Sequence, residues 1–279
     1  MAVSGPKGDQ RPQRTSFFRR SIIMADILLF LHSEHNTRTS DFTINYSRPI
    51  DLSDGLWAVA LDKIEYCVSW HNVDSSYNNR TFSYSDGVNT RIVTLPEGNY
   101  TVDLINEYLH EVMYANGDYT IDPVTGQPVY SISITPNYPT LRTRISVVPG
   151  WSVDLTLSRF HNLIGFNSVV VTATSLGAHH SNINRSMESI HVHCDLVTNS
   201  YVNSTNNDLL YQFAPQGFPG SKQTSEPRNR TFMPIRGATH VNRIRIYLTD
   251  QHNRHINFHG EPVAVTLVLR KISLDSITN

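Results

Sequence analysis

The chain has 279 residues, 39% hydrophobic and 17% charged, with a formal net charge of −1. That composition is globular and excludes both a disordered chain and an overall basic field that would attract nucleic acid; the length suits one large β domain or two small ones. Two cysteines far apart, Cys67 and Cys194, allow one disulfide but read rather as two lone thiols in a reducing compartment.

Residues 1–23 hold Lys7, Arg11, Arg14, Arg19 and Arg20 against Asp9 alone, with no apolar periodicity before Phe17. They read as a basic, disordered arm, either a solvated tail or one that touches DNA or a neighbouring subunit. A start at Met24 is the third reading, because MADILLFLHS opens the first strand directly. The apolar run Ser21–Leu31 is broken by Asp26, and no small-residue cleavage site follows it. It is far short of the roughly 20 residues that span a bilayer, so neither a signal peptide nor a membrane span is expected.

The first strand is expected at Asp26–His32 and a second at Asp41–Tyr46. A long strand, Leu56–Tyr66, follows, and its alternation slips at Asp62–Lys63, which predicts a bulge. Arg80–Tyr84 and Thr90–Thr94 form a hairpin around Asp86-Gly87. One helix starts at the N-cap Thr101, with Asp103 in its first turn, and ends at Asn116-Gly117. Its apolar face is Leu104, Ile105, Tyr108, Leu109, Val112 and Met113. A second hairpin pairs Val129–Thr135 with Arg142–Val148, and Val153–Leu157 reads as a strand. Ser158–Gly165 is a short helix closed by Gly165. Further strands fall at Val169–Thr174, Ser189–Val197 and Leu209–Phe213. In Arg243–Asp250 the apolar residues Ile244, Ile246 and Leu248 alternate with Arg243, Arg245 and Tyr247. Val263, Val265, Leu267 and Leu269 repeat that period of two in the last strand.

About ten regularly spaced strands with turn signals predict an all-β protein, a single jelly-roll β-sandwich with one medium and one short helix. The expected organisation is the arm at 1–23 and a jelly-roll domain at 24–279, with a long loop insertion at about 199–237.

The chemistry is sparse. His191 and His193 lie two apart on one strand face, with Cys194 turned to the other. Without a third ligand at a familiar spacing they read as a neutral strand surface rather than a metal site. His252, His255 and His259 read as solvated loop residues. No phosphate-binding glycine loop, nucleophile elbow or metalloprotease helix is present, so no catalytic residue, cofactor or metal is assigned. Trp57 reads as core. The candidate contact residues are Trp70, Asn72, Tyr211, Phe213 and Phe218, aromatic or carboxamide groups in or beside loops.

Read together, the segments resemble a known family. SDFTINYSRPIDLSDGLWAVALDKIEYCVSWHNV (Ser40–Val73) is similar to the opening of the Polinton/Maverick (adintovirus-like) minor capsid protein, the penton. The matching residues are Arg48, Pro49, Ile50, Leu52, Trp57, Val59, Ala60, Leu61, Ile64, Tyr66, Trp70 and Asn72. LPEGNYTVDLINEYL, the hairpin and helix of Tyr130–Phe166, the strand from Ser189 and the terminal hairpin continue it in order, over about residues 26–272. Departures are the basic stretch before Met24, Ile164 where the family has Leu before Gly165, and an extended loop at 214–230. The resemblance implies a single jelly roll at the five-fold vertex of an icosahedral capsid. The implied partners are its own copies in a homopentamer, a double-jelly-roll major capsid protein and packaged DNA through the arm. The implied location is the virion, assembled inside the host cell and not secreted. Two rivals remain. A carbohydrate-binding jelly roll for host attachment predicts an open aromatic groove such as Trp70 with Asn72. A jelly-roll enzyme predicts at least three His, Asp or Glu side chains converging inside one barrel mouth.

Overall fold

The computed structural model describes residues 26–33, 39–183, 187–197, 200–202, 205–235, 237 and 239–272. The expected arm at 1–23 lies outside them. Three strands open the described chain: β1 (Asp26–His32), β2 (Asp41–Asp51) and β3 (Leu56–Cys67). A long excursion follows. It runs through the hairpin of β4 (Thr81–Ser85) and β5 (Thr90–Thr94), the helix α1 (Val102–Asn116), and the short pair β6 (Tyr119–Ile121) and β7 (Pro128–Tyr130). It continues through the hairpin of β8 (Ile132–Asn137) and β9 (Arg142–Val147), then β10 (Ser152–Asp154), α2 (Phe160–Leu163), β11 (Val170–Val171) and β12 (Ser175–Leu176). The chain then returns through β13 (Ile190–Cys194), β14 (Ser200–Val202), β15 (Thr205–Asn207), β16 (Leu209–Phe213) and β17 (Lys222–Ser225). β18 (Met233–Pro234), β19 (His240–Thr249) and β20 (Ala264–Ile272) end it. Most strands beyond the expected set are two or three residues long, too short to show a period.

Nine of these strands make two antiparallel sheets, one in the order β1-β20-β3-β17 with β18 also paired to β3, the other in the order β16-β13-β19-β2. Strands from both the start and the end of the chain are shared between the two sheets, a jelly roll that leaves few exposed edges. The period-two apolar faces decide the packing. Ile244, Ile246 and Leu248 of β19, with Val263 and with Val265, Leu267 and Leu269 of β20, are all fully buried. They meet Leu29, Leu31, Phe42, Trp57, Val59, Leu61 and Cys194 in one core. Each such aliphatic side chain contributes about 1.5–3 kcal/mol when buried. The predicted bulge is present: Lys63 pairs with Thr266 and Leu61 with Leu267, so Asp62 has no opposite residue on β20. The displaced carboxylate accepts a 2.8 Å hydrogen bond from Arg230 Nε.

Between Val73 and Ile183 the excursion does not extend this core. Its buried residues form a second cluster, from Val73 to Ile183, that includes Phe82, Leu95, Ile105, Ile134, Ile145 and Phe160. The Phe82 and Phe160 rings stack at its centre, 4.5 Å apart. α1 caps this cluster with Val102, Ile105, Leu109 and Met113, one per turn. Tyr108 and Val112 pack at its margin. Leu104, expected on the same face, is 43% exposed because it falls one position outside that stripe. Thr101 caps α1 by accepting from Leu104 N, and Gly117 closes it in the left-handed conformation, as the sequence predicts. Within 199–237, expected to be a loop insertion, β16 joins β13 and β17 joins β3, so part of that stretch completes both sheets.

Candidate functional site

The passage that leaves β3 joins the two cores. Trp70 is buried; its ring stacks on Tyr66 at 6.2 Å and meets Phe258 edge-on at 6.1 Å. Asn72 is also buried, and each atom of its carboxamide is used. Nδ2 donates to Tyr100 O at 2.7 Å and to Ile183 O at 2.9 Å, and Oδ1 accepts from Tyr100 N at 2.9 Å. Asn72 thus clasps the lead-in to α1 and the end of the excursion. Its own carbonyl accepts from Asn79 Nδ2 at 2.8 Å.

Trp70, Asn72 and Phe218 line one cavity of about 450 Å³, together with Tyr100 and Met187. Three of the five predicted contact residues therefore come together, although Trp70 and Asn72 serve the protomer's interior. Phe218 is 82% exposed. It sits on a turn in which Ser221 Oγ both donates to Phe218 O at 2.6 Å and accepts from Phe218 N at 3.0 Å. Gly220 N donates to Val68 O and Val68 N to Ser221 O, which fastens that turn to the end of β3. The ring is held outward on a fixed support. Tyr211 and Phe213, on β16, are half-buried and stack at 6.2 Å; Phe213 also lies 5.6 Å from Tyr66. They cover the rim of the jelly-roll core rather than lining the cavity with Phe218.

Sequence reasoning missed the outer side of β1. Leu29 and Leu31 point inward, whereas Leu28 is 50% and Phe30 65% exposed on the opposite face of an edge strand. The signal was there in DILLFLH, where both faces of the alternation are apolar.

His191 and His193 are not a strand surface: both are buried, because β16 and β19 flank β13 on either side. His193 bonds through Nδ1 to Asp208 Oδ1 at 2.9 Å and through Nε2 to Thr249 Oγ1 at 3.0 Å, with its ring stacked on Tyr247 at 4.3 Å. Tyr247 donates to the same carboxylate at 2.6 Å. Burial first, and then Asp208, push the Tyr247 hydroxyl well above the usual phenol range, which keeps it a donor. This closed network satisfies both nitrogens of the His193 imidazole, and the two imidazoles sit 6.3 Å apart.

Both cysteines are free and buried. Burial pushes the Cys194 thiol up to about 12 and raises Cys67 as well. Thiolate is the reactive form, so neither should react with a disulfide reagent in the native protein at pH 8. Both should titrate once guanidinium unfolds the chain. A fast native thiol signal would contradict this burial.

Among the described residues, no helix is long and apolar enough to cross a membrane. No protein-family model matches the sequence, and no curated protein does. Among solved structures, the fold is similar to the mavirus penton protein, with a TM-score of 0.52 and 11% identity, covering 89% of this chain and 100% of that one. The chain also aligns with the Sputnik virophage solved by cryo-EM, with a TM-score of 0.43 and 11% identity over 91% of this chain and 99% of that one. At such identity the first likeness is one of fold, carried over nearly the whole all-β chain.

Proposed function

We propose that this chain is a structural virion protein, a penton subunit. Five copies would form a capsid vertex and contact a double-jelly-roll major capsid protein. The observation that carries this reading is a fold likeness that covers all of a penton protein, on a chain whose ordered segments resemble Polinton/Maverick minor capsid proteins. A closed ring is built from heterologous contacts, in which one surface of each protomer meets a different surface of the next. The apolar outer face of β1, with Leu28 and Phe30, and the outward Phe218 supply separate apolar surfaces of that kind. A net charge of −1 keeps repulsion between copies small. The protein's place in this reading is the capsid vertex, assembled inside the host cell, with the basic residues 1–23 available to packaged DNA.

The reading carries no catalytic step. The carbohydrate-binding alternative asks for an aromatic face open to solvent at Trp70 beside Asn72, and both residues are buried.

Light scattering after size exclusion tests the proposal. The expected result is a species of five 31.6 kDa protomers that grows with concentration. Phe30→Glu, at a site 65% exposed, should leave the monomer folded and remove that species. A wild-type monomer at every concentration, alone and with a major capsid protein added, would overturn it.

A further inference from the structure

Two imidazoles and a carboxylate meet at the root of the excursion. His71 and Asp74 come from the passage between β3 and β4, and His259 from the turn between β19 and β20. One donor atom from each lies within 4.8 Å of the other two. The two rings stack with centroids 3.8 Å apart, so a nitrogen from each reaches one ion when the exposed His259 ring turns about its side-chain torsions. His71 Nδ1 is sealed from solvent and has no hydrogen-bond partner among the described residues. A buried ring nitrogen without a partner is costly, and native structures usually supply one.

The backbone around the donors is held in place. Trp70 and Phe258, the residues immediately before the two histidines, pack edge to face, and Ser69 Oγ donates to Phe258 O at 2.7 Å. Asp74 Oδ1 accepts from Ser76 N at 2.8 Å, which sets the carboxylate's direction. His259 N donates to Asn257 Oδ1 at 2.9 Å. The Asp74 carboxylate and the backbone that carries both imidazoles are thus fixed in advance, as a metal site requires.

We propose that His71, Asp74 and His259 bind one divalent transition-metal ion of the Zn²⁺ class, with water completing four-coordination. Two nitrogens and one oxygen suit Zn²⁺, whereas Ca²⁺ and Mg²⁺ take oxygen shells. The ion joins two parts of the fold. Asp74 follows Val73, where the second core begins, and His259 follows Phe258 of the jelly-roll core. The ion is therefore a clasp between the excursion and the sandwich, and it stands independently of the capsid reading.

The test is calorimetric titration of ZnCl₂ into the full chain after EDTA treatment, beside His259→Asn. Asn tolerates the left-handed backbone at this position (φ 50°), and the side chain is exposed, so the variant keeps its fold. The wild type should take up one equivalent of Zn²⁺ and gain thermal stability from it. His259→Asn should bind that equivalent about 100-fold more weakly or worse, since even outer partners of a metal site are worth about 10–100-fold. Co²⁺ should give the visible bands of a four-coordinate site in the wild type and not in the variant. His252→Asn, on the same turn, should change none of this. No zinc uptake by the wild type, or equal uptake by His259→Asn, overturns the proposal.

Discussion

Replacing Gly165 with alanine should destabilise the protein by about 3 kcal/mol or more, read by chemical denaturation. Two effects add. Gly165 closes α2 with φ 75°, a conformation that alanine disfavours. A Cβ there would also run into the backbone oxygens of His179 and His180, the latter at 2.7 Å. The segment 177–180 is laid directly on this glycine, with His179 N donating to Gly165 O at 2.8 Å. Backbone cannot step aside as a flexible side chain can. Gly117→Ala separates the two effects. It has the same kind of φ, 76°, at the end of α1, but nothing lies within 4 Å of the added carbon. It should cost only about 1 kcal/mol. Equal losses in the two variants would show that the close approach at Gly165 carries no weight.

Asn72→Leu should cost about 3 kcal/mol, with its effect concentrated where the two cores join. Leucine has a similar volume but leaves Tyr100 N, Tyr100 O and Ile183 O without the carboxamide that satisfies them. Each buried polar group left unpaired costs about 1–3 kcal/mol, and three groups sharing one partner do not add fully. Amide exchange gives a local readout: Tyr100 N–H should lose protection in Asn72→Leu while the β19 and β20 amides keep theirs. Asn72→Asp should be no milder. It keeps the acceptor for Tyr100 N but turns a carboxylate oxygen toward two carbonyls. Unchanged stability in Asn72→Leu would mean that the clasp is dispensable.

Much of the jelly roll was legible in the linear chain. A strand with one buried face must place that face every second residue, and RIRIYLTD and PVAVTLVLR do so without interruption. The Asp62 bulge showed itself as a slip in the same period. The helix was legible from both ends, because Thr101 and Asn116-Gly117 have local capping chemistry that needs no distant partner. The division into two cores was not legible. Apolar residues in β8, β9 and β10 alternate like those in β19 and β20, and period alone does not say which cluster a buried face joins.

The candidate contacts divide in the same way. An aromatic residue in a loop reads alike whether it faces solvent or the interior. Trp70 and Phe218 looked equivalent in sequence, yet one is 7% and the other 82% exposed. The sequence by itself determined the strand faces, the helix and its caps, and the all-β class, because these follow from spacing between neighbours along the chain. Only the tertiary structure decided that residues 73–183 pack separately, that Asn72 is a clasp, that His193 is buried against Asp208, and that His71, Asp74 and His259 converge. Each of these depends on contacts between residues far apart in sequence, up to 188 positions for His71 and His259, and no local pattern encodes them.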